Sequence, residues 1–399
     1  MTPRAGFDPV GLAAVRRWMR ASVDHGWLPG ASTLIARHGQ VELFETYGAR
    51  DLEQMAPLQH DTLFRIYSMT KPVTSVAAMI LVERGELGLD DPVQTLIPSF
   101  SVLTVNRDGA GDTLEPEPLR VPITVRHLLT HTSGLTYGEG NPGAVSRAYV
   151  ERRTDFGASD GPLAEVVDRL ATIPLLFQPG TSWAYGVSTD VLGRVVEVVS
   201  GQPLDAFMHA HIFEPLGMLD TSFQVGPGQV ERFAALYEVA EGNRLTCVES
   251  PESSPQTGAV STLSGGAGLV STASDYLCFA EMLRLGGSLD GVRVLVPQTV
   301  HAMVSNQLPG DLAEMGQPTF NETSMDGVGF GLGVAVVVDP SRSIWRSSPG
   351  EFAWGGYAST AFWVDPVHDV SVVFMTQVMP SDHYPIRAEL RSLVLDALV

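Results

Sequence analysis

Ser68 and Lys71, three residues apart in the stretch "FRIYSMTKPVTSV", are the pair in this chain best suited to covalent chemistry. On a helix, that spacing puts two side chains on one face, one turn apart. A hydroxyl beside an amine is a nucleophile beside a base. Lys71 is the only lysine among 399 residues, and 24 arginines hold the other permanent positive charges. A guanidinium does not give up its proton in a protein, whereas a lysine amine can. A position that needs a cation able to act as a base must therefore keep lysine. The spacing alone proves little: serine fills 31 of the 399 positions, so chance puts one three places before a lone lysine about one time in thirteen. A neutral lysine base also needs its pKa lowered from ~10.4 to ~7–8, roughly 4 kcal/mol against the charged form. Burial and a second polar group from elsewhere must supply that.

Two further stretches offer partners. "PGTSWAYGVSTDVLGRVVE" places Tyr185 on a glycine-containing turn just before a helix starting at Ser188 or Thr189. Beside a lysine ammonium, a tyrosine hydroxyl can pass a proton, because the cation favours its ionised form. The commoner fate of a tyrosine is packing, so Tyr185 counts only in combination. "FAWGGYASTAFWV" sets Gly355 and Gly356 ahead of an alternating strand. Glycines there let a substrate approach the strand edge and a backbone N–H point at it.

The surrounding elements must bring these stretches together. Residues 9–24 form an amphipathic helix, and 31–51 form two strands joined at His38-Gly39. The apolar run 68–87 is a helix that must begin close to Ser68, because Pro72 is tolerated only in a first turn. Short helices broken by proline and glycine fill the middle, with a hairpin-like excursion at 101–122. After a helix capped by Ser271 or Thr272 come strands at 330–339, 357–366 and 369–378, then a final helix at 384–398. Strands at both ends and helices between them define an α+β fold. The simplest closure pairs both termini in one antiparallel sheet flanked by helices, residues 1–95 with 266–399. Residues 96–265 then form an inserted, mainly helical lobe, with the active site in the cleft between.

Composition narrows the function classes. With 44% hydrophobic and 18% charged residues the chain can bury a substantial core. A formal charge of −20 argues against nucleic acid and anionic membranes as partners. No apolar run is long enough to cross a membrane. The N-terminal segment reads as a helix and not a signal peptide, so a cytoplasmic location is expected. Cys247 and Cys278 sit in no paired motif, and neither a metal nor another cofactor is expected. The oligomeric state is not legible.

Ser-x-x-Lys opening an apolar helix, Tyr185 on its turn and Trp354-Gly-Gly near the C-terminus together resemble the serine β-lactamase-like superfamily. The match is closest to family VIII carboxylesterases, relatives of class C β-lactamases. It covers nearly the whole chain, since "LGLDDPV", "ITVRHLLTHTSGL", "PGTSWAYGVSTDVLG", "GGAGLVSTASDYLCFAEML" and "DGVRVLVPQTV" occur in the family's order. The resemblance implies a β-lactamase/transpeptidase-like fold with Ser68 as nucleophile and Lys71 and Tyr185 sharing the acid and base work. It implies an oxyanion hole from the backbone N–H groups of Ser68 and Tyr357, with Tyr137, Trp354, Gly355, Gly356 and Val187 lining the substrate site. His131 is read as structural.

Two departures from the lactamase pattern bear on substrate. Trp354 stands where lactamases carry the lysine that meets a substrate carboxylate. Val187 stands where they present an asparagine to the substrate amide, and an unmatched polar partner costs ~1–3 kcal/mol. A small uncharged ester, cleaved through an acyl-serine, is the expected substrate. A weak β-lactamase, a D-amino-acid peptidase or an acyltransferase on the same scaffold are the alternatives. No Ser…Asp…His order of an α/β-hydrolase is needed to explain these residues. The loop 305–327 and the excursion 101–122 are expected to shape the pocket.

Overall fold

The structure, a computed structural model, describes residues 6–157, 160–320 and 323–399. Its frame is one antiparallel sheet. Helix α1 (Pro9–Asp24), capped by the Asp8 carboxylate accepting from Gly11 N at 3.1 Å, leads into β1 (Gly30–Arg37) and β2 (Gln40–Asp51). His38 and Gly39 turn between them with φ of 52° and 75°, the pair of positive values that a two-residue hairpin requires. A short β3 (Ala56–Pro57) extends the β2 edge.

The other half of the sheet comes from the far end of the chain: β4 (Val328–Phe330), β5 (Ala335–Val337), β6 (Phe352–Gly355), β7 (Ala361–Asp365) and β8 (Val370–Met375). The strand order is β4-β5-β6-β7-β8-β1-β2-β3. The termini meet where β1 pairs with β8, Ser32 opposite Met375 through Arg37 opposite Val370.

Successive side chains of a strand point to opposite faces, and here both faces are covered. Val372 and Phe374 pack outward beneath α1 and the last helix, α5 (Ile386–Asp396), against Val15, Met19, Leu390 and Val394. Val373 and Met375 pack inward with Val73 and Val76 of α2 (Thr70–Glu83) and Phe279 of α4 (Ala273–Arg284). Between those two inner helices in sequence lies α3 (Ser188–Ser200), which packs on α2. Residues Thr70–Leu81 are buried on every side, which makes α2 a core helix.

The differences from the sequence expectations are local. The α-helix begins at Thr70, and Ser68 sits in a 3₁₀ turn, Tyr67–Met69, in front of it. The expected strand 330–339 is split into β4 and β5 because Gly331–Gly333 turns against α2; a Cβ at Gly333 would lie 2.1 Å from Ser75 Oγ. The segment expected to be mainly helical also contains a hairpin, Leu236–Ala240 with Arg244–Glu249, which pairs in parallel with Val378–Met379. The excursion 101–122 is a hairpin, Thr104–Asn106 with Pro116–Pro118. Thr272 caps α4, its side chain accepting from Asp275 N.

Candidate active site

Ser68 is held by its own turn and by what precedes it. Tyr67 adopts φ 44°, a left-handed conformation that is strained for an aromatic residue and needs its surroundings to enforce it. Arg65, 1% exposed, supplies part of that enforcement. Its guanidinium donates to Glu249 Oε1 at 2.6 Å and Ala234 O at 2.6 Å and lies 3.9 Å from the Phe233 ring centroid. The strand entering the turn is thereby tied to the 236–249 hairpin.

Lys71 lies in the first turn of α2 and is 1% exposed. Its ammonium has three N–H donors, and three acceptors surround it: Tyr137 Oη at 2.9 Å, Gly266 O at 2.9 Å and Ser68 Oγ at 3.3 Å. Burial opposes its charge, but the oxygens of Tyr137, Tyr185 and Asp190 more than offset this and hold its pKa above the ordinary lysine value. That reverses the sequence expectation of a lowered value: the cation is matched by acceptors, not merely buried. Desolvation raises the Tyr137 hydroxyl, with Lys71 opposing the rise.

Tyr185 reaches Lys71 differently. Its ring centroid is 4.6 Å from Nζ, a cation–π contact, and its hydroxyl accepts from Trp354 Nε1 at 3.4 Å. The hydroxyl bonded to Lys71 is thus that of Tyr137, a residue the sequence placed only in the pocket wall. A Cβ at Gly186 would fall 2.4 Å from Thr136 Cα, so the glycine after Tyr185 is what lets the two tyrosine-bearing loops touch.

Asp190 is a site residue that the sequence reading missed. It is 1% exposed in the first turn of α3 and accepts from Ser264 Oγ at 2.5 Å and Gly266 N at 3.0 Å. Gly266 therefore links the carboxylate, through its N–H, to Lys71, through its carbonyl. Burial pushes the Asp190 carboxyl above its ordinary value, against the pull of Lys71 and these hydrogen bonds. A Cβ at Gly266 would be 2.3 Å from Asp190 Oδ2. The available signal was an acidic residue on the otherwise apolar face of "STDVLGRVV", where helix-dipole compensation is an equally good local explanation.

A cavity of about 1030 Å³ runs over Ser68, Tyr137, Tyr185 and Trp354, and continues past Gly355 and Gly356 to Arg387 on the outer side of the sheet. Phe320 and Met325 of the 305–327 loop line it, as expected; residues 321 and 322 lie outside the described residues. The 101–122 hairpin does not line it and packs on Leu175 and Gln178 instead. Val187 is a second correction. It is fully buried, at the N-cap of α3, and turns into the helical core, so it cannot face a substrate amide. Trp354 does line the cleft, its ring 5.4 Å from that of Tyr185 and 5.9 Å from that of Phe320.

The N–H of Tyr357 has no acceptor among the described residues. The two glycines before it serve protein packing more than substrate approach: a Cβ at Gly355 would meet Arg387 Cζ at 2.6 Å, and one at Gly356 would meet Ile66 O at 2.4 Å. His131 packs its ring 5.2 Å from that of Tyr185 and places Nε2 3.5 Å from Thr189 Oγ1. Burial, aided by the Lys71 cation, lowers its pKa well below the usual histidine range. It is therefore neutral at physiological pH. Among the described residues no group of histidine, cysteine and carboxylate side chains is placed to hold a metal, and both cysteines are free thiols.

These titrations imply a pH profile. With Lys71 protonated at rest and His131 neutral throughout, kcat/KM should rise with pH as the Lys71–Tyr137 pair gives up a proton, without a histidine limb near 6.5. Tyr137→Phe removes an acceptor from the ammonium and should move that rise to lower pH. A profile unchanged in Tyr137→Phe would show that the 2.9 Å contact does not set the titration.

Residues 15–396 match the family described as Beta-lactamase. The chain belongs to the β-lactamase family. Among its relatives, Protein Rv1367c of Mycobacterium tuberculosis is 38% identical over 369 residues, 91% of this chain and 89% of that one. Esterase EstB of Burkholderia gladioli is 35% identical over 367 residues, 88% of this chain and 86% of that one. The solved structure of EstCE1, a hydrolase with promiscuous acyltransferase activity, superposes with a TM-score of 0.83 at 31% identity, covering 96% of this chain and 98% of that one. Within the β-lactamase family, this chain therefore sits with the family VIII esterases, and its α+β fold is theirs. Among the described residues of this β-lactamase-family chain, no helix is long and apolar enough to cross a membrane.

Proposed function

We propose that the protein is a serine carboxylesterase that cleaves small uncharged esters through an acyl-enzyme on Ser68. The observation that carries this reading is Ser68 Oγ, half-buried in the cavity and 3.3 Å from Lys71 Nζ. The kinship with Esterase EstB and with the hydrolase EstCE1 supports the reaction class.

In the proposed cycle, Ser68 Oγ attacks the ester carbonyl and its proton passes to Lys71 in the form of the Lys71–Tyr137 pair that has already lost one proton. The carbonyl oxygen becomes an oxyanion, accepted by the N–H groups of Ser68 and Tyr357. Collapse breaks the bond to the alcohol. Tyr185, on the cleft wall, gives its proton to the leaving oxygen and is left as a phenolate until water reprotonates it in the second half, while Lys71 keeps the serine proton for return to Ser68 Oγ. Water then attacks the acyl-serine by the reverse route. Asp190, through Gly266, orients Lys71 and balances its charge without touching substrate.

The apolar wall of Trp354, Phe320 and Tyr185 favours an uncharged acyl or alcohol group over a carboxylate-bearing one. A second reading, acyl transfer to an alcohol in place of water, is favoured by the promiscuous transferase activity of EstCE1. Brief mixing with p-nitrophenyl butyrate, acid quench and peptide mass mapping should find the butyryl group on the peptide containing Ser68. An adduct elsewhere, or rapid turnover of a chromogenic cephalosporin with slow ester turnover, would defeat the proposal. Added methanol that diverts product to methyl butyrate would establish the second reading.

A further inference from the structure

Arg387 is an arginine with no conventional reason to be where it is. It stands in the first turn of α5, the positive end of the helix dipole, where a cation is disfavoured. Among the described residues it makes no salt bridge, and its Nε–H is buried without an acceptor. Desolvation lowers its pKa to about 10, so it remains charged at neutral pH. What it does have is a pair of backbone carbonyls: Nη2 donates to Gly356 O at 2.8 Å and to Thr360 O at 3.1 Å. The same Thr360 O accepts from Gly356 N at 2.9 Å, so the guanidinium clamps both ends of the β6–β7 turn.

Gly356 O belongs to the same peptide unit as the N–H of Tyr357. In a trans peptide the C=O and N–H point in opposite directions. A guanidinium holding the carbonyl from the outer face of the sheet therefore aims the N–H the other way, toward the cleft. A charge-assisted hydrogen bond is about twice as strong as a neutral one, and it polarises the peptide so that its N–H becomes a better donor. Gly355 is what admits the guanidinium, because a Cβ there would lie 2.6 Å from Arg387 Cζ.

We propose that Arg387 is a positioning residue of the oxyanion hole, orienting and polarising the Gly356–Tyr357 peptide from behind. The proposal rests on the reading of Tyr357 N–H as an oxyanion donor. It also assigns the first glycine of Trp-Gly-Gly to making room for an arginine.

Arg387→Met, Gly355→Ala and the double variant are compared with wild type, using p-nitrophenyl butyrate kinetics, thermal denaturation and the affinity for butylboronic acid. Boronic acid forms a tetrahedral adduct that places an oxygen in the hole. Loss of one oxyanion donor typically costs ~10²–10³ in kcat, so misaligning one should cost about 10–100-fold. The expected result is that kcat and boronate affinity fall by the same factor, with KM within about threefold. Gly355→Ala keeps the arginine but displaces its end, so it should show the same signature, and the double variant should be no worse than either single one. It also serves if Arg387→Met does not fold. Single variants that retain wild-type kcat, a loss of kcat without loss of boronate affinity, or additive losses would each overturn the proposal. Ester turnover that survives Ser68→Ala would overturn the esterase reading instead. If wild type turns over no ester, boronate affinity still reports on Arg387.

Discussion

Lys71→Arg is expected to lower kcat by ~10³–10⁴, about as far as Ser68→Ala, while the folded state survives. Arginine keeps the positive charge and most of the stem, so the acceptors around the position, Gly266 O and Tyr137 Oη, can still be satisfied. What is lost is the removable proton, since a guanidinium does not deprotonate in a protein. The two residues act as a unit on one proton, so the double variant Ser68→Ala/Lys71→Arg should be little worse than either single one. A factor of ~10³ corresponds to about 4 kcal/mol of transition-state stabilisation, well beyond ordinary repacking effects on kcat. Steady-state kinetics with p-nitrophenyl butyrate, alongside a thermal melt, makes the check. Near-normal turnover in Lys71→Arg would mean that Lys71 contributes charge alone and that its being the only lysine has no chemical meaning.

Tyr185→Phe is expected to cost ~10²–10⁴ on alkyl esters and much less on p-nitrophenyl esters. The hydroxyl of Tyr185 sits on the cleft wall, held by Trp354 Nε1 and not by Lys71. That location suits a group that donates to the leaving oxygen. A p-nitrophenolate departs without a proton, whereas an alkoxide must receive one, so the damage should scale with leaving-group basicity. Removing the Tyr137 hydroxyl, by contrast, acts on the base and should affect both substrates alike. Measuring kcat/KM for ethyl and p-nitrophenyl butyrate in the two Phe variants separates the roles. Equal losses on both esters in Tyr185→Phe would return Tyr185 to the role of base. A leaving-group dependence in Tyr137→Phe would exchange the two tyrosines.

These two tyrosines mark the boundary between what could be read from the chain and what could not. Ser68 with Lys71 is a relation across three residues, and helix geometry alone makes such neighbours meet. The His38-Gly39 hairpin, the Thr272 cap of α4 and the alternating strands of the sheet are likewise local, set by backbone sterics, capping and the period-two alternation of strands. The mutual support of the motifs in order also identified the family. Local rules mark which face of a helix is apolar but not what that face meets. Val187 shows the result: two residues after Tyr185 in sequence, it is buried in the helical core because it opens α3.

Which hydroxyl Lys71 meets, the buried Asp190 reaching it through Gly266, and Arg387 behind the Gly356–Tyr357 peptide all join segments far apart in the chain. They depend on how the helical segment and the final helix pack on the sheet, and on a few ångströms of clearance at Gly186, Gly266 and Gly355. The sequence by itself determined that this chain is a β-lactamase-like protein with a serine and a lysine one helical turn apart. Tertiary packing decided how the lysine is charged, because its pKa depends on acceptors brought from three other segments and not on its neighbours in the chain.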